Sequence, residues 1–316
     1  MRLTRGLALH KRDSASRSPL SRWAVFTRRW RLALILLLTA AASIIPVFNA
    51  GAKLAISPSS PCSVATTTNY EHVVWIVLEN VGYSVIGSPS ARYLNGLASA
   101  CGLATNYDAI AHPSLPNYVA MTSGSTQGIT DDNEPSAHPL RAPSIFSELG
   151  SNWRAFAESM PSPCDRVTSG QYAARHNPAV YFLNVARACR VDDIALTQPL
   201  DLSAAFTFIA PNICDDMHSC AVGVGDAWLR QLVPTILASP QYQTSSLVLF
   251  ITFDENDSQA SNRVPTLVIA PSVARGEQVG IRFNHYSLLA TTETLLHLKL
   301  LAAARSARSM VTPFHL

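Results

Sequence analysis

Two apolar runs constrain the fold of this 316-residue chain more than any other feature: HVVWIVLEN at His72–Asn80 and SSLVLFITFDEND at Ser245–Asp257. Both are rich in β-branched and aromatic residues, are of strand length, and are apolar on successive rather than alternate positions. A strand with one face in water alternates, whereas a strand covered on both faces does not, so the runs predict strands inside a parallel sheet. A third run, RVPTLVIAPSV, begins at Arg263. Helical patterns fall between the runs, over Ser144–Met160, Asp226–Ser239 and Tyr286–Leu300. Strands alternating with helices imply a three-layer α/β/α sandwich with a mostly parallel central sheet.

The first 52 residues read differently. Residues 1–31 hold nine Lys plus Arg and one acid, Asp13, and an uncharged apolar run follows from Leu32 to Val47. That order, with Ala50-Gly51-Ala52 as a small-residue cleavage site, reads as a signal peptide. The run is shorter than the ~20 residues of a typical spanning helix, which favours cleavage; a retained signal anchor is the alternative, because the basic region is long. Arg28-Arg29 stands just ahead of the run, as in twin-arginine signals. The expected location is secreted or in the cell envelope. Residues 53–70, with Ser, Pro and a Thr run, read as a linker, and 71–316 as one large α/β domain.

The leader also carries the basic charge. Of 24 Lys plus Arg and 21 Asp plus Glu, 15 and 20 remain beyond residue 52, a balance near −5. No Lys/Arg cluster follows Lys53, which argues against nucleic acid as a partner. All six cysteines lie beyond the leader, and an even count in an exported chain reads as disulfides. Sequence order suggests Cys62–Cys101, Cys164–Cys189 and Cys214–Cys220. A zinc site is the rival reading, but C-x2-C spacing is missing.

Both best strands end in polar pairs, Glu79-Asn80 and Asp254-Glu255. Ligands of open α/β sheets bind at the carboxyl ends of strands. Three carboxylates and an amide gathered there suit a divalent cation such as Mg2+, Mn2+ or Ca2+, or Zn2+ or Fe with histidine added. Between the runs lies HPSLPNYVAMTSG, in which Pro113 and Pro116 are expected to hold Ser114 in a bend rather than in a helix. The bland alternative makes Ser114 or Asn117 an ordinary helix cap. Asp215 and Asp216 precede His218 in PNICDDMHSC, and His176 and His285 stand in RHNPAVYF and RFNHYS. Each is ambiguous alone.

Taken in order, Val77-Leu78-Glu79-Asn80, HPSLPNYVAMTSG, RHNPAVYF, PNICDDMH, FDEND and His285 resemble the bacterial phosphoesterase family, which includes secreted acid phosphatases and phospholipases C within the alkaline phosphatase-like superfamily. The resemblance spans roughly Glu71–Leu298. It implies an alkaline phosphatase-like fold and hydrolysis of phosphate esters through a phosphoseryl intermediate. Ser114 would be the nucleophile and Asn117 a phosphoryl-oxygen ligand. Glu79, Asn80, Asp254 and Glu255 would hold the metal, and His176, His218 or His285 would serve the leaving group. The superfamily often pairs Asp with His where this chain has Asp254-Glu255. One essential ion is therefore expected, with Asp216, His218 and His285 either binding a second or holding phosphate. The expected partner is a phosphate ester, with a phospholipid headgroup as the alternative; membrane contact would come only through that lipid or an uncleaved anchor. A non-catalytic cell-surface binding module on the same fold would require loss of the nucleophile or the acidic strand ends, and neither is lost. A metal-free serine hydrolase lacks support, because G-x-S-x-G is missing around Ser114.

Overall fold

The structure is a computed structural model that describes residues 61–63, 69–258 and 261–316. The expected signal segment, 1–52, and most of the expected linker, 53–70, lie outside the described residues. In chain order the strands are β1 His72–Leu78, β2 Gly102–Ala104, β3 Tyr107–Asp108, β4 Trp153–Ala157, β5 Asp193–Ala195, β6 Phe206–Ala210, β7 Leu247–Phe253, β8 Thr266–Ile269, β9 Gln278–Val279 and β10 Phe283–Asn284. The helices are α1 Arg92–Ala100, α2 Ser114–Ser123, α3 Ile145–Leu149, α4 Ala186–Asp192, α5 Val222–Leu237, α6 Pro240–Gln243 and α7 His285–Leu295.

Eight strands form one sheet in the order β5-β4-β6-β1-β7-β8-β2-β9, and β3 pairs with β10 apart from it. The two runs that opened the sequence argument sit side by side at its centre. β1 runs parallel to β7, with His72 opposite Leu247 and Leu78 opposite Phe253. All of β7 and all of β1 after His72 are buried, as continuous apolar strands covered on both faces must be. The third run supplies β8, which is antiparallel to both β7 and β2. The other neighbouring pairs of the large sheet are parallel.

Helices pack in pairs, α2 against α7 and α1 against α5. The α2 and α7 layer is tied to the sheet by Trp75 of β1, whose indole N–H donates to Thr292 Oγ1 of α7 at 3.0 Å. The expected helices at Asp226 and Tyr286 appear as α5 and α7 with slightly shifted ends. The expected Ser144–Met160 helix is corrected. Only Ile145–Leu149 is helical, because Gly150 takes φ +65° and turns the chain out. The aromatic stretch beyond it becomes β4, which pairs parallel with β6.

All three cysteine pairs expected from sequence order form disulfides. Cys164, Cys189 and the Asp193 carboxylate lie close enough to imitate a metal site. Both sulfurs are spent in the disulfide, so no thiolate is there to ligate an ion.

Candidate active site

Leu78 and Phe253 are register partners, so Glu79 and Asp254 emerge side by side from the carboxyl edge of β1 and β7. The Asp254 N–H still donates to Leu78 O at 2.9 Å, which carries the ladder one residue further. Asn80 then turns left-handed, at φ +52°, a conformation that asparagine tolerates better than most residues. Its backbone N–H donates to Asp254 Oδ1 at 3.2 Å.

On the other side of β1 lies β6, and the loop after it brings in Asp216, whose carbonyl accepts the Glu79 N–H at 2.8 Å. The Cys214–Cys220 disulfide closes this loop, and α5 presses on it. A Cβ at Gly225 of α5 would stand 2.6 Å from Asp215 O, so only glycine permits that approach.

The bend around Ser114 turns out to be a helix start. Ser114 is the first residue of α2, Pro113 is its N-cap, and Pro116 sits in the first turn. Proline costs little there, because the first N–H groups of a helix have no partner within it. The expectation that both prolines keep Ser114 out of a helix is corrected accordingly. Neither Ser114 nor Asn117 acts as the cap; instead Asp132 Oδ1 accepts the Leu115 N–H at 2.9 Å. Ser114 is thereby free to face inward. Its hydroxyl donates to Glu79 Oε2 at 2.9 Å and lies 3.4 Å from Glu255 Oε1.

Asn117 is placed differently from its expected role. Its Oδ1 accepts the N–H groups of Ile110 and Ala111, both at 2.9 Å. Its Nδ2 donates to Ala111 O at 2.9 Å and Pro113 O at 3.1 Å. With both amide hydrogens held by backbone carbonyls, Asn117 clamps the chain entering α2, and no N–H is left for a phosphoryl oxygen.

The three histidines separate. His176 is buried with Nε2 3.3 Å from Glu79 Oε1 and Nδ1 3.1 Å from Asp216 Oδ2, and it stacks on Tyr118. His285 is also buried, at the start of α7, but Tyr107 Oη at 3.1 Å and the Asp254 carbonyl at 2.6 Å occupy its two ring nitrogens. It positions the Asp254 backbone and has no nitrogen left for phosphate or metal. Burial lowers its pKa to about 4, consistent with a neutral ring. His218 is exposed at the edge of the loop, with its backbone N–H on Asp216 Oδ1 at 2.7 Å.

Glu79, Asp216, Asp254 and Glu255 are all buried in this one place. Burial raises the pKa of Glu79, and the Asp254 and Asp216 charges raise it further. Asp254 is raised by burial and then by Glu255, Asp216 chiefly by burial, and Glu255 to about 7 by burial and Asp132. Asn80 Oδ1, Asp216 Oδ2 and Asp254 Oδ2 are buried oxygens that accept no hydrogen bond. Unpaired buried acceptors and mutually repelling carboxyls are what a hard cation with oxygen ligands would satisfy. The donor set therefore fits a divalent ion.

Sequence reasoning missed four neighbours. Tyr118 donates to Glu79 Oε1 at 2.5 Å; its position four residues after Ser114 on a helix was the available signal. His112 pairs through Nδ1 with Glu255 Oε2. Asp132 and Arg175 complete the rim, with Arg175 Nε 3.9 Å from Asp132 Oδ2.

A family model described as "Phosphoesterase family" matches residues 85–299. The chain belongs to the phosphoesterase family. This phosphoesterase is 32% identical over 245 residues to a phosphatidylinositol-3-phosphatase of Mycobacterium tuberculosis, covering 75% of this chain and 81% of that protein. It is 26% identical to an acid phosphatase of Aspergillus fumigatus and 29% to a phosphate-repressible acid phosphatase of Penicillium chrysogenum, covering 76% of this chain in both cases. It spans only 58% and 62% of those fungal proteins. Among solved structures, a lipoteichoic acid synthase from Listeria monocytogenes shares the fold at TM-score 0.51 and 12% identity, covering 77% of this chain and 78% of that one. This phosphoesterase is a hydrolase of phosphoric esters.

Proposed function

We propose that the chain is an exported, metal-dependent phosphomonoesterase that works through a phosphoseryl intermediate. The observation that carries this reading is the Ser114 hydroxyl, 2.9 Å from Glu79 Oε2 and 3.4 Å from Glu255 Oε1. Glu79, Asn80, Asp254 and Glu255 would hold the ion, with Asp216 on the side of any second one. When bound, the ion supplies positive charge that favours the serine alkoxide and draws a phosphoryl oxygen into place.

Ser114 Oγ forms the bond to phosphorus as the ester P–O bond breaks, which splits one hard step into two. The hydroxyl proton has Glu79 Oε2 as its acceptor. The leaving oxygen takes its proton at the open edge, where His218 stands. Water then attacks phosphorus and returns a proton to His218; the P–Oγ bond breaks, Glu79 returns the other proton to Ser114, and inorganic phosphate leaves. His176 packs between Glu79 and Asp216, with both ring nitrogens buried and facing the site.

Monoesters are favoured over phospholipase-type diesters because the relatives are named as phosphatases, the Mycobacterium tuberculosis protein for a monoester carried on a lipid. Export is supported by the basic and apolar leader and by three disulfides, which persist in oxidising compartments. Among the described residues no helix is long and apolar enough to cross a membrane. Residues 71–316 form the catalytic domain in this reading, with 1–52 as the signal or anchor. The test is a hydrolysis panel on the full chain with an aryl phosphomonoester, a phosphodiester and phosphatidylcholine. Fastest turnover of the monoester supports the reading; faster turnover of phosphatidylcholine replaces it with a phospholipase C.

A further inference from the structure

We infer that Arg175 is the specificity residue that selects a phosphate monoester, by holding the second charged oxygen of its dianion. This rests on the phosphomonoesterase reading above and names the residue that would enforce it.

Arg175 precedes His176 in the short 3-10 turn Ala174–His176, so the residue that bridges Glu79 and Asp216 anchors its backbone. Its guanidinium spans the rim. One terminal nitrogen lies 3.3 Å from His218 Nε2, on the loop that carries Asp216. Its Nε lies 3.9 Å from Asp132 Oδ2, and the other oxygen of Asp132 accepts the N–H of Leu115, the residue after Ser114. The cation therefore stands between the Asp216–His218 loop and the nucleophile's helix terminus. The side chain is about one-fifth exposed, 21%, so it is reachable from solvent but held in place.

The donors of Arg175 are largely unspent. Its Nε is buried and makes no hydrogen bond, because Asp132 at 3.9 Å is too far to accept one. A buried donor without an acceptor is costly, and a guanidinium fork matches two phosphate oxygens in one plane. Asn117, with its amide hydrogens on backbone carbonyls, leaves the phosphoryl oxygens without the donor expected from sequence. Among the described residues, Arg175 has guanidinium N–H groups on the rim to offer them.

The selection follows from charge. A phosphate monoester loses its second proton near pH 6 and carries about two charges at neutral pH, whereas a diester carries one. Four buried carboxyls line this pocket, and one divalent ion offsets only part of their charge when they are ionised, so the extra charge of the monoester is repelled unless a further cation faces it. Arg175 supplies that cation and leaves a diester nearly indifferent to it.

The test measures binding and turnover on the metal-loaded full chain at pH 7.5, for the wild type, Arg175→Ala and Arg175→Lys, with thermal midpoints read alongside. Calorimetry uses inorganic phosphate as the dianion-rich probe and dimethyl phosphate as the monoanion. Arg175→Ala is expected to weaken phosphate binding at least about tenfold, to change dimethyl phosphate binding less than about threefold, and to lower aryl phosphomonoester kcat/KM by about 10²–10³-fold, as for loss of one charge-stabilising donor. Arg175→Lys should recover part of the phosphate affinity, since charge remains and the fork is lost. If Arg175→Ala fails to fold, the lysine variant carries the same comparison with the same sign. Equal weakening of both probes, or none of either, overturns the inference. A wild type that binds phosphate through Arg175 but hydrolyses no phosphoester would instead sink the enzymatic reading beneath it.

Discussion

Glu79 Oε2 accepts the Ser114 hydroxyl at 2.9 Å, joining the end of a central strand to the first residue of a buried helix 35 positions away in sequence. Two stretches that the sequence marks separately, the β1 run and HPSLPN, meet there. The contact is held from both sides: Tyr118 fixes the other Glu79 oxygen at 2.5 Å, and Asp132 and Asn117 fix the start of α2.

Chelation of the purified protein is expected to abolish hydrolysis, with activity restored by a divalent ion. Asp254→Asn should lower bound metal in elemental analysis at unchanged fold, because it removes one anionic ligand and keeps the shape. Full turnover by protein shown to be free of metal would rule out the proposed ligand set.

Asn117→Ala should act first on the fold. It removes four hydrogen bonds to backbone groups entering α2, and leaving buried groups unpaired costs about 1–3 kcal/mol each. A loss of at least about 2 kcal/mol in denaturant unfolding is expected, together with reduced turnover. Unchanged stability with a selective loss of turnover would return Asn117 to a direct phosphoryl contact.

How much of this was legible in the sequence depended on where each partner lies. β1 and β7 were readable because burial on both faces leaves an unbroken apolar run, and Glu79 and Asp254 follow directly from those runs. β4 was not, since Trp153–Ala157 continues a helical spacing and only Gly150 and pairing with β6 decide otherwise. Ser114 was singled out by its neighbouring prolines, but a bend does not hold it: it is buried as the first residue of α2, where Pro116 is tolerated in the first turn. Asp132 and Arg175 were invisible for another reason: one sits on a loop and the other in a short 3-10 turn, and their meeting depends on chain paths that local patterns do not encode.

Stability should fall as pH rises across the acid range. Asp193 is fully buried, and burial lifts its carboxyl pKa to about 8, against about 3.9 in an unfolded chain. Between those values the folded state keeps a proton that the unfolded state has lost. The stability this group confers is thus complete below about pH 4 and declines toward pH 8, by up to about 1.4 kcal/mol per pH unit. Asp193→Asn should remove that slope, so its stability relative to wild type improves from pH 5 to pH 8. Urea midpoints at the two values check this, and a constant difference would contradict it.

The central claim is that Ser114 attacks phosphorus, and the direct test is rapid quench of the wild type with an aryl phosphomonoester, followed by mass analysis of the peptide that contains Ser114. The account predicts a phosphate mass on Ser114 that forms within a turnover, decays with product release, and is missing in Ser114→Ala, whose turnover should fall by up to about 10⁶-fold, as when a hydrolase loses its nucleophile. An unmodified Ser114 peptide during active turnover, with Ser114→Ala near wild-type rate, would contradict it and leave Ser114 as the first residue of a helix and nothing more.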